Sequence, residues 1–207
     1  MTKKIISTFT LGLLVLSIIL FSFFNTGCSC GCGGDNEDVG IPLNILRKSD
    51  QFIISRTGNE FFKKYITIDF SQSKHIPPNY LMVYKFYIPE KPFVDEIIRF
   101  NVDSIGNALK QFEVVGIPEC NSNPMNCDFV VDEKIARQIA TENGLSKGIN
   151  DWKVDFVWDA NYNKYVWQLL STIKESQGEF GYRGEGEQIS IDPTNASVID
   201  KHSWKIN

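Results

Sequence analysis

Residues 129–207 carry a pattern that predicts one helix followed by strands. Asp132 is suited to be the N-cap of this helix, because its carboxylate can accept hydrogen bonds from the free N–H groups of the first turn. Asn143 and Gly144 supply a left-handed stop. Between these ends, four apolar residues recur at helical spacing and mark the face that we expect to be buried: Ile135, Ala136, Ile139 and Ala140.

The residues after this helix alternate between large apolar and polar side chains, which is typical of strands. Turn-forming Asp, Asn and Pro residues occur at 159–163 and 192–195, and the Gly-rich stretch 174–186 is predicted to be a hairpin loop. The strands predicted between these segments are 152–158, 165–173, 188–192 and one that begins at residue 197. The second half of the chain is therefore expected to form a helix followed by an antiparallel meander.

The first half of the chain repeats this order at a nearly constant offset. The matched segments are 66–70 with 152–156, 80–88 with 165–173, 100–106 with 189–195 and Gly58 with Gly144, at offsets of 85 to 89 residues. Four matches in the same order favour a duplication, whereas a single continuous α+β domain with similar strands is the alternative. We predict an α+β fold with tandem units at 44–117 and 129–207. In the first unit, segment 44–57 fits a helix, although residues 52–54 fit a strand equally well.

Several residues recur at matching positions of the two units. A stripe of large side chains on one face of two matched strands is expected to be core rather than a binding cleft: Tyr80, Met82, Tyr84, Phe86, Tyr165, Trp167 and Leu169. Among four recurring aspartates, we expect Asp103 and Asp192 to close turns with their side chains. Asp69 and Asp155 are expected to face solvent. These structural roles are favoured over paired acid–base catalysis.

The first residues of the chain read as a targeting segment. Two lysines precede the uncharged, mostly apolar stretch 5–24, as in a secretory signal. The Thr-Gly-Cys that follows resembles a bacterial lipoprotein box, which implies removal of residues 1–27 and attachment of a diacylglyceryl group to Cys28. An uncleaved helical anchor is one alternative, since 20 residues are about enough to span a bilayer, and ordinary secretion is another. All three place the body outside the cytoplasm.

Residues 28–43 are predicted to be a flexible tether, because glycine and acidic residues dominate them. The acidic run after Cys28 resembles the surface-export signal of lipoproteins in the Bacteroidetes group, which implies the outer membrane of a Gram-negative cell. Cys30 and Cys32 are interpreted as tether thiols, because structural zinc sites use two pairs of more widely spaced ligands. A net charge of −4 argues against nucleic-acid binding, and no cofactor is predicted.

Cys120 and Cys127 lie seven positions apart in a linker, 118–128, that is rich in proline and asparagine. In an oxidising compartment such a pair is expected to form a disulfide, worth about 2–3 kcal/mol by the chain-entropy model. The alternative is a catalytic thiol, which needs a positioned histidine. His75 and His202 lie at opposite ends of the body and carry no recognisable partner motif. A structural disulfide between the two units is therefore predicted.

The order of a helix and then a meander resembles the PepSY family. The helix at 132–144 and the Asp-containing turn at 192–199 carry the resemblance, with 103–106 as the counterpart of that turn in the first unit. The second unit, 129–207, is the better match. The resemblance implies a secreted or membrane-associated, non-catalytic module that binds or inhibits a partner such as a peptidase.

These observations lead to one expected function and two alternatives. We expect a non-catalytic lipoprotein of the cell envelope, held to the membrane by its lipid, that acts as a binding or inhibitory module for a protein partner. An immunity-type protein that neutralises a toxin is one alternative, because such proteins are also small α+β modules. The other is an envelope enzyme that uses Cys120 or Cys127. The sequence contains no Gly-x-Ser-x-Gly or His-Glu-x-x-His motif and no phosphate-binding glycine loop.

Overall fold

The computed structural model describes residues 40–178 and 181–206. The predicted signal peptide at 1–27, the lipidation site Cys28 and most of the tether lie outside the described residues. Within the described ranges, no helix combines the length and the apolar character that a membrane crossing requires. These ranges combine α-helices with antiparallel sheets, which confirms the predicted α+β class.

The first half of the body is a four-stranded sheet with two helices. Its elements are α1 (Leu43–Thr57), α2 (Asn59–Tyr65), β1 (Ile66–Ile68), β2 (Lys74–Ile76), β3 (Asn79–Tyr87) and β4 (Asp95–Val102). Strands β1 and β2 pair with the two ends of β3, and β4 runs along the other edge of β3. Segment 44–57 is thus helical, because the residues of α1 that reach the core recur every four positions: Ile45, Ser49, Ile53 and Thr57.

The second half is a helix followed by a four-stranded meander. Its elements are α3 (Glu133–Glu142), β5 (Lys153–Asp159), β6 (Lys164–Gly178), β7 (Gly181–Ile191) and β8 (Val198–Ile206), and the strands lie in chain order. The carboxylate of Asp132 accepts a hydrogen bond from the N–H of Ile135 at 2.8 Å, which confirms the predicted N-cap. Gly144 has a φ of 70° just after the helix, as its stop requires.

The predicted hairpin loop at 174–186 is wrong. Strand β6 continues to Gly178 and β7 begins at Gly181, so most of this segment belongs to a long antiparallel ribbon. Gly186, in the middle of β7, has a packing role rather than a turn role. A Cβ atom on Gly186 would collide with the backbone carbonyl oxygen of Ser171 and would lie 2.8 Å from the ring of Trp204, so the glycine leaves room for both the neighbouring strand and the indole.

The buried face of α3 is narrower than its apolar pattern. Ala136 and Ala140 are fully buried and Ile139 packs against the core, as predicted. Ile135, however, is 41% exposed, so its predicted burial is wrong. The reason is angular: each helical residue is rotated by about 100° from the last, which places Ile135 at the margin of the stripe that the two alanines define.

The predicted roles of the aspartates are confirmed at the turns and wrong at one strand end. Asp103 and Asp192 each accept a hydrogen bond from the backbone N–H two residues further on, at 3.0 and 2.8 Å. Asp69 does not face solvent, since it is only 6% exposed. Its carboxylate is buried in the turn between β1 and β2, where Ser71 and Gln72 donate to it.

The two sheets share one core. The predicted apolar stripe is buried in both halves, from Tyr80 at 9% exposure to Leu169 at 0%. Aromatic contacts join the halves, with ring centroids of Phe86 and Tyr165 5.6 Å apart and those of Phe93 and Trp167 5.2 Å apart. Ile41, inside the predicted tether 28–43, also belongs to this core, so the chain is attached to the body from that residue onward.

Candidate functional site

A cleft of about 610 Å³ opens beside the disulfide. We name it the disulfide cleft. It is formed by four stretches of the first half and the linker: the bend between α1 and α2, the apolar side of α2, the turn after β3, and the loop that holds the two cysteines. The residues that line it are Thr57, Gly58, Asn59, Glu60, Phe61, Tyr65, Ile88, Glu90, Lys91, Cys120, Asn121, Pro124, Cys127 and Asp128.

One wall of the disulfide cleft is the loop between the cysteines. Cys120 and Cys127 lie at disulfide distance, with Cα atoms 5.5 Å apart, as predicted. The loop is attached to the end of α1, because Asn121 donates from its backbone N–H to the carbonyl of Arg56 at 2.7 Å and from its side chain to that of Ser55 at 3.0 Å. These carbonyls would otherwise be free at the helix C-terminus. Asn121 therefore caps the end of α1, and the bridge closes the loop that carries it.

A second wall depends on the bend at Gly58. This residue has φ 83° and ψ 152°, a conformation that side chains with a Cβ rarely adopt. Its N–H donates to the carbonyl of Ile54 in α1, and its own carbonyl accepts from Phe62 in α2. The bend thus joins two helices without an intervening loop and directs Phe61 and Tyr65 of α2 toward the cleft.

The disulfide cleft is apolar inside and charged at its rim. Ile88 is buried, and Phe61 and Tyr65 pack partly against the core. At the rim, Lys64 pairs with Glu90 at 3.0 Å and Lys91 with Asp128 at 2.9 Å. The hydrogen bond from Lys64 holds the pKa of Glu90 below its usual range, so this carboxylate is charged at neutral pH.

Two smaller cavities lie in the second half and at the boundary between halves. A groove of about 440 Å³ runs across the ribbon of β6, β7 and β8. A gap of about 90 Å³ lies beside Asp192, whose carboxylate accepts a hydrogen bond from Lys164 at 2.7 Å. Burial would raise the pKa of Asp192, but the hydrogen bonds from Lys164 and Thr194 outweigh it and lower the pKa. The described residues contain no group of three or more metal-binding side chains.

The structure brings only some of the predicted site residues together. Cys120 and Cys127 meet at the cleft, whereas Cys28 lies outside the described residues. The histidine that a catalytic thiol would need is not among the described residues that line the cleft. His75 stacks on Tyr80 with centroids 4.4 Å apart, and His202 lies 2.6 Å from Asp200.

Sequence reasoning missed the residues that give the cleft its character. Phe61, Tyr65, Glu90 and Asp128 come from three separate stretches of chain, and no motif connects them. A local signal was present only at Gly58, which the repeat comparison matched with Gly144. Comparison with known proteins adds no relative: no protein-family model, no curated protein and no solved structure matches this chain.

Proposed function

We propose that this chain is a non-catalytic lipoprotein of the cell envelope that binds or inhibits a protein partner through the disulfide cleft. The observation that carries the proposal is the cleft itself, because it combines an apolar interior with a polar rim, as binding sites usually do. Its walls are held by the Cys120–Cys127 bridge and by the Asn121 hydrogen bonds. A site fixed in this way loses little conformational entropy when a partner binds.

We also propose that the body consists of two PepSY-like units, and the strand registers support this reading. In the first half, Ile66 lies opposite Phe86. Shifting these positions by the sequence offsets of 86 and 85 gives residues 152 and 171. In the antiparallel pair of β5 and β6, Lys153 lies opposite Leu170. One step back along β5 is one step forward along β6, so the same register places residue 152 opposite residue 171.

The pairing of β3 with β4 matches that of β6 with β7 less closely. Tyr80 lies opposite Val102 in the first half. Their sequence counterparts are Tyr165 and Ile191, but the partner of Ile191 is Trp167. A difference of two residues keeps the same side chains on the same face, since side chains alternate with a period of two. The comparison therefore supports related units whose third strands have moved along their neighbours.

A lipid on Cys28 would hold the body close to the membrane. The tether from Cys28 to Ile41 reaches at most about 45 Å when fully extended. The body could therefore bind partners that lie within about that distance of the membrane surface. Labelling with a fatty-acid analogue in the native host should mark the chain, and Cys28→Ser should abolish the mark. A labelled Cys28→Ser protein would contradict lipidation at this residue.

The binding function is tested by blocking the mouth of the cleft. Asn59 is exposed and lines the cleft, so Asn59→Trp adds bulk there without entering the core. Asn161→Trp is the matched control, because Asn161 is exposed in the turn before β6. Epitope-tagged full chains are cross-linked in the envelope of the native host, and captured proteins are quantified by mass spectrometry. We expect a partner that is lost with Asn59→Trp and kept with Asn161→Trp. Equal capture by both variants would refute a role for the cleft.

A further inference from the structure

The groove of about 440 Å³ on the ribbon of β6, β7 and β8 is lined mainly by charged side chains. We name it the ribbon groove and define it by its polar lining: Lys174, Glu175, Ser176, Arg183, Glu185 and Lys205. All three strands contribute a cation, since Lys174 belongs to β6, Arg183 to β7 and Lys205 to β8. This cluster of positive charge lies on a chain whose net charge is −4.

The strand registers place the three cations on one face of the ribbon. Lys174 and Lys205 both lie opposite Glu185, one on each side of it. Arg183 lies opposite Ser176 and two positions from Glu185 along β7, which puts it on the same face. Neighbouring strands are about 4.8 Å apart, and residues two positions apart along a strand are separated by about 6.8 Å. The three cations thus start within about 10 Å of one another, and their long side chains can reach a single ligand.

The positive charges of the ribbon groove are not taken up by neighbouring carboxylates. Among residues 40–178 and 181–206, none of the three cations forms an ion pair, and all three are exposed. Glu175 follows Lys174 directly and therefore points to the other face, where it accepts hydrogen bonds from Asn150 at 3.2 Å and Tyr182 at 3.1 Å. Only Glu185 shares the face of the cations, so an excess of two positive charges remains there.

This excess matches a ligand group that carries two negative charges. A phosphomonoester has a charge of about −1.5 to −2 at pH 7 and three strong acceptor oxygens, so each cation can bind an oxygen of its own. The planar guanidinium of Arg183 is also suited to bind phosphate through two donors. A carboxylate has one charge and two oxygens, so it would balance only half of the excess.

We infer that the ribbon groove binds a phosphomonoester, which is either dissolved or part of a lipid headgroup. Lys174, Arg183 and Lys205 donate to the phosphate oxygens, and the hydroxyl of Ser176 is a further donor beside Arg183. Glu185 makes the groove selective, because it repels every anion and leaves enough attraction only for a highly charged one. The ribbon groove shares no lining residue with the disulfide cleft, so this inference does not depend on the function proposed for the cleft.

The binding is tested with the full chain reconstituted in phosphatidylcholine nanodiscs. Glycerol 3-phosphate is titrated into these discs and the heat is measured by isothermal titration calorimetry, with acetate at the same ionic strength as the comparison anion. We expect saturable binding of glycerol 3-phosphate that is about tenfold tighter than that of acetate and that weakens as salt is added. Glycerol 3-phosphate that binds no more tightly than acetate would overturn the inference.

Three variants connect the binding to the ribbon groove. Arg183→Gln combined with Lys205→Gln removes two exposed cations and should weaken the binding of glycerol 3-phosphate by about tenfold. Glu185→Gln removes the repulsion and should tighten it by about threefold, a gain that damage to the fold would not produce. Lys110→Gln removes an exposed cation outside the groove and should change nothing. An unchanged affinity of the double variant, or a loss of affinity with Glu185→Gln, would contradict a phosphate site here.

The composition of the discs identifies the source of the phosphate. Phosphatidic acid has a phosphomonoester as its headgroup, whereas phosphatidylglycerol is an anionic phosphodiester and controls for repulsion by the membrane surface. If the groove takes lipid headgroups, discs with phosphatidic acid should lower the apparent affinity for glycerol 3-phosphate more than discs with phosphatidylglycerol do. Equal affinities in the two kinds of disc would assign the groove to dissolved phosphomonoesters. Either result supports the site and names the source of its ligand.

Discussion

Each half of the body packs helices against a four-stranded antiparallel sheet, but the first half uses two helices and the second uses one. In the second half, a single helix packs on a meander of long strands, and the chain passes from α3 to β5 without another helix. In the first half, α1 bends at Gly58 into a second helix, and the edge strand is divided into β1 and β2. The disulfide cleft is built from α2 and the cysteine loop, which have no counterpart among the described residues of the second half. The shared architecture thus forms the scaffold, and the site forms where the halves differ.

The strongest test of this comparison asks whether the halves can unfold separately. Phe86 lies in the first half, is fully buried and contacts Tyr165 in the second. Phe86→Ala should cost about 3–5 kcal/mol of unfolding free energy, because it leaves a cavity in the shared core. All four tryptophans lie in the second half, so their fluorescence reports mainly the unfolding of that half.

If the core is truly shared, the tryptophan unfolding transition of Phe86→Ala moves to lower denaturant by the full amount. Phe112→Ala, also in the first half but at a position 45% exposed, should leave the transition nearly unchanged. A tryptophan transition that Phe86→Ala does not move would show that the halves are independent.

The next largest effect on stability is expected from loss of the Cys120–Cys127 disulfide in the linker. The double substitution Cys120→Ser with Cys127→Ser should cost about 2–3 kcal/mol, because the unfolded chain is no longer closed into a loop. The same replacement at Cys30 and Cys32, in the tether, should not change the denaturation midpoint of the body. Thiol titration of envelope-derived protein provides a separate check, since free thiols at both linker positions would contradict the disulfide.

A third test sharpens the comparison of helix faces. Ile139→Asp places a charge against the core at a half-buried position and should cost about 2 kcal/mol. Ile135→Asp makes the same chemical change one helical turn earlier, where the side chain is 41% exposed, and should cost less than about 0.5 kcal/mol. Thermal melts followed by circular dichroism compare the two. Equal losses would mean that α3 packs with its full apolar stripe after all.

The local sequence pattern predicted most of the scaffold, but it did not predict the disulfide cleft. The inward faces of β3 and β6 were predictable, because the alternation that contains Tyr84 and Trp167 places the largest side chains of each stripe on one face. Helix α2 was missed because seven residues are too few to be helical alone. It is held by contacts such as Phe61 with Phe86, whose centroids lie 5.7 Å apart. Gly186 was misread because the groups that it accommodates, the carbonyl of Ser171 and the indole of Trp204, lie fifteen positions earlier and eighteen positions later in the chain.

The smallest expected effect is a pH dependence at the junction of the halves. Glu96 lies opposite Phe86 in the sheet, and its charge contributes, after burial, to a raised pKa of Tyr165 across the junction. Burial, and then the nearby charge of Asp95, raise the pKa of Glu96 to about 7. In the unfolded chain this pKa is about 4.3. Because the folded value is the higher one, the contribution of Glu96 to stability is complete below about pH 4 and is lost as the pH rises to about 7.

Glu96→Gln should remove this dependence, since the amide is neutral at every pH and has nearly the same shape. At pH 8 we expect the variant to be more stable than the parent chain by about 1 kcal/mol, a value reduced from the full pKa difference because the side chain is only partly buried. At pH 4 the two proteins should be equally stable. Urea unfolding at both pH values measures this difference, and Glu113→Gln controls for the general loss of a carboxylate. A variant that gains no stability at pH 8 would show that Glu96 reaches water freely, and that the junction of the two halves is more open than the aromatic contacts indicate.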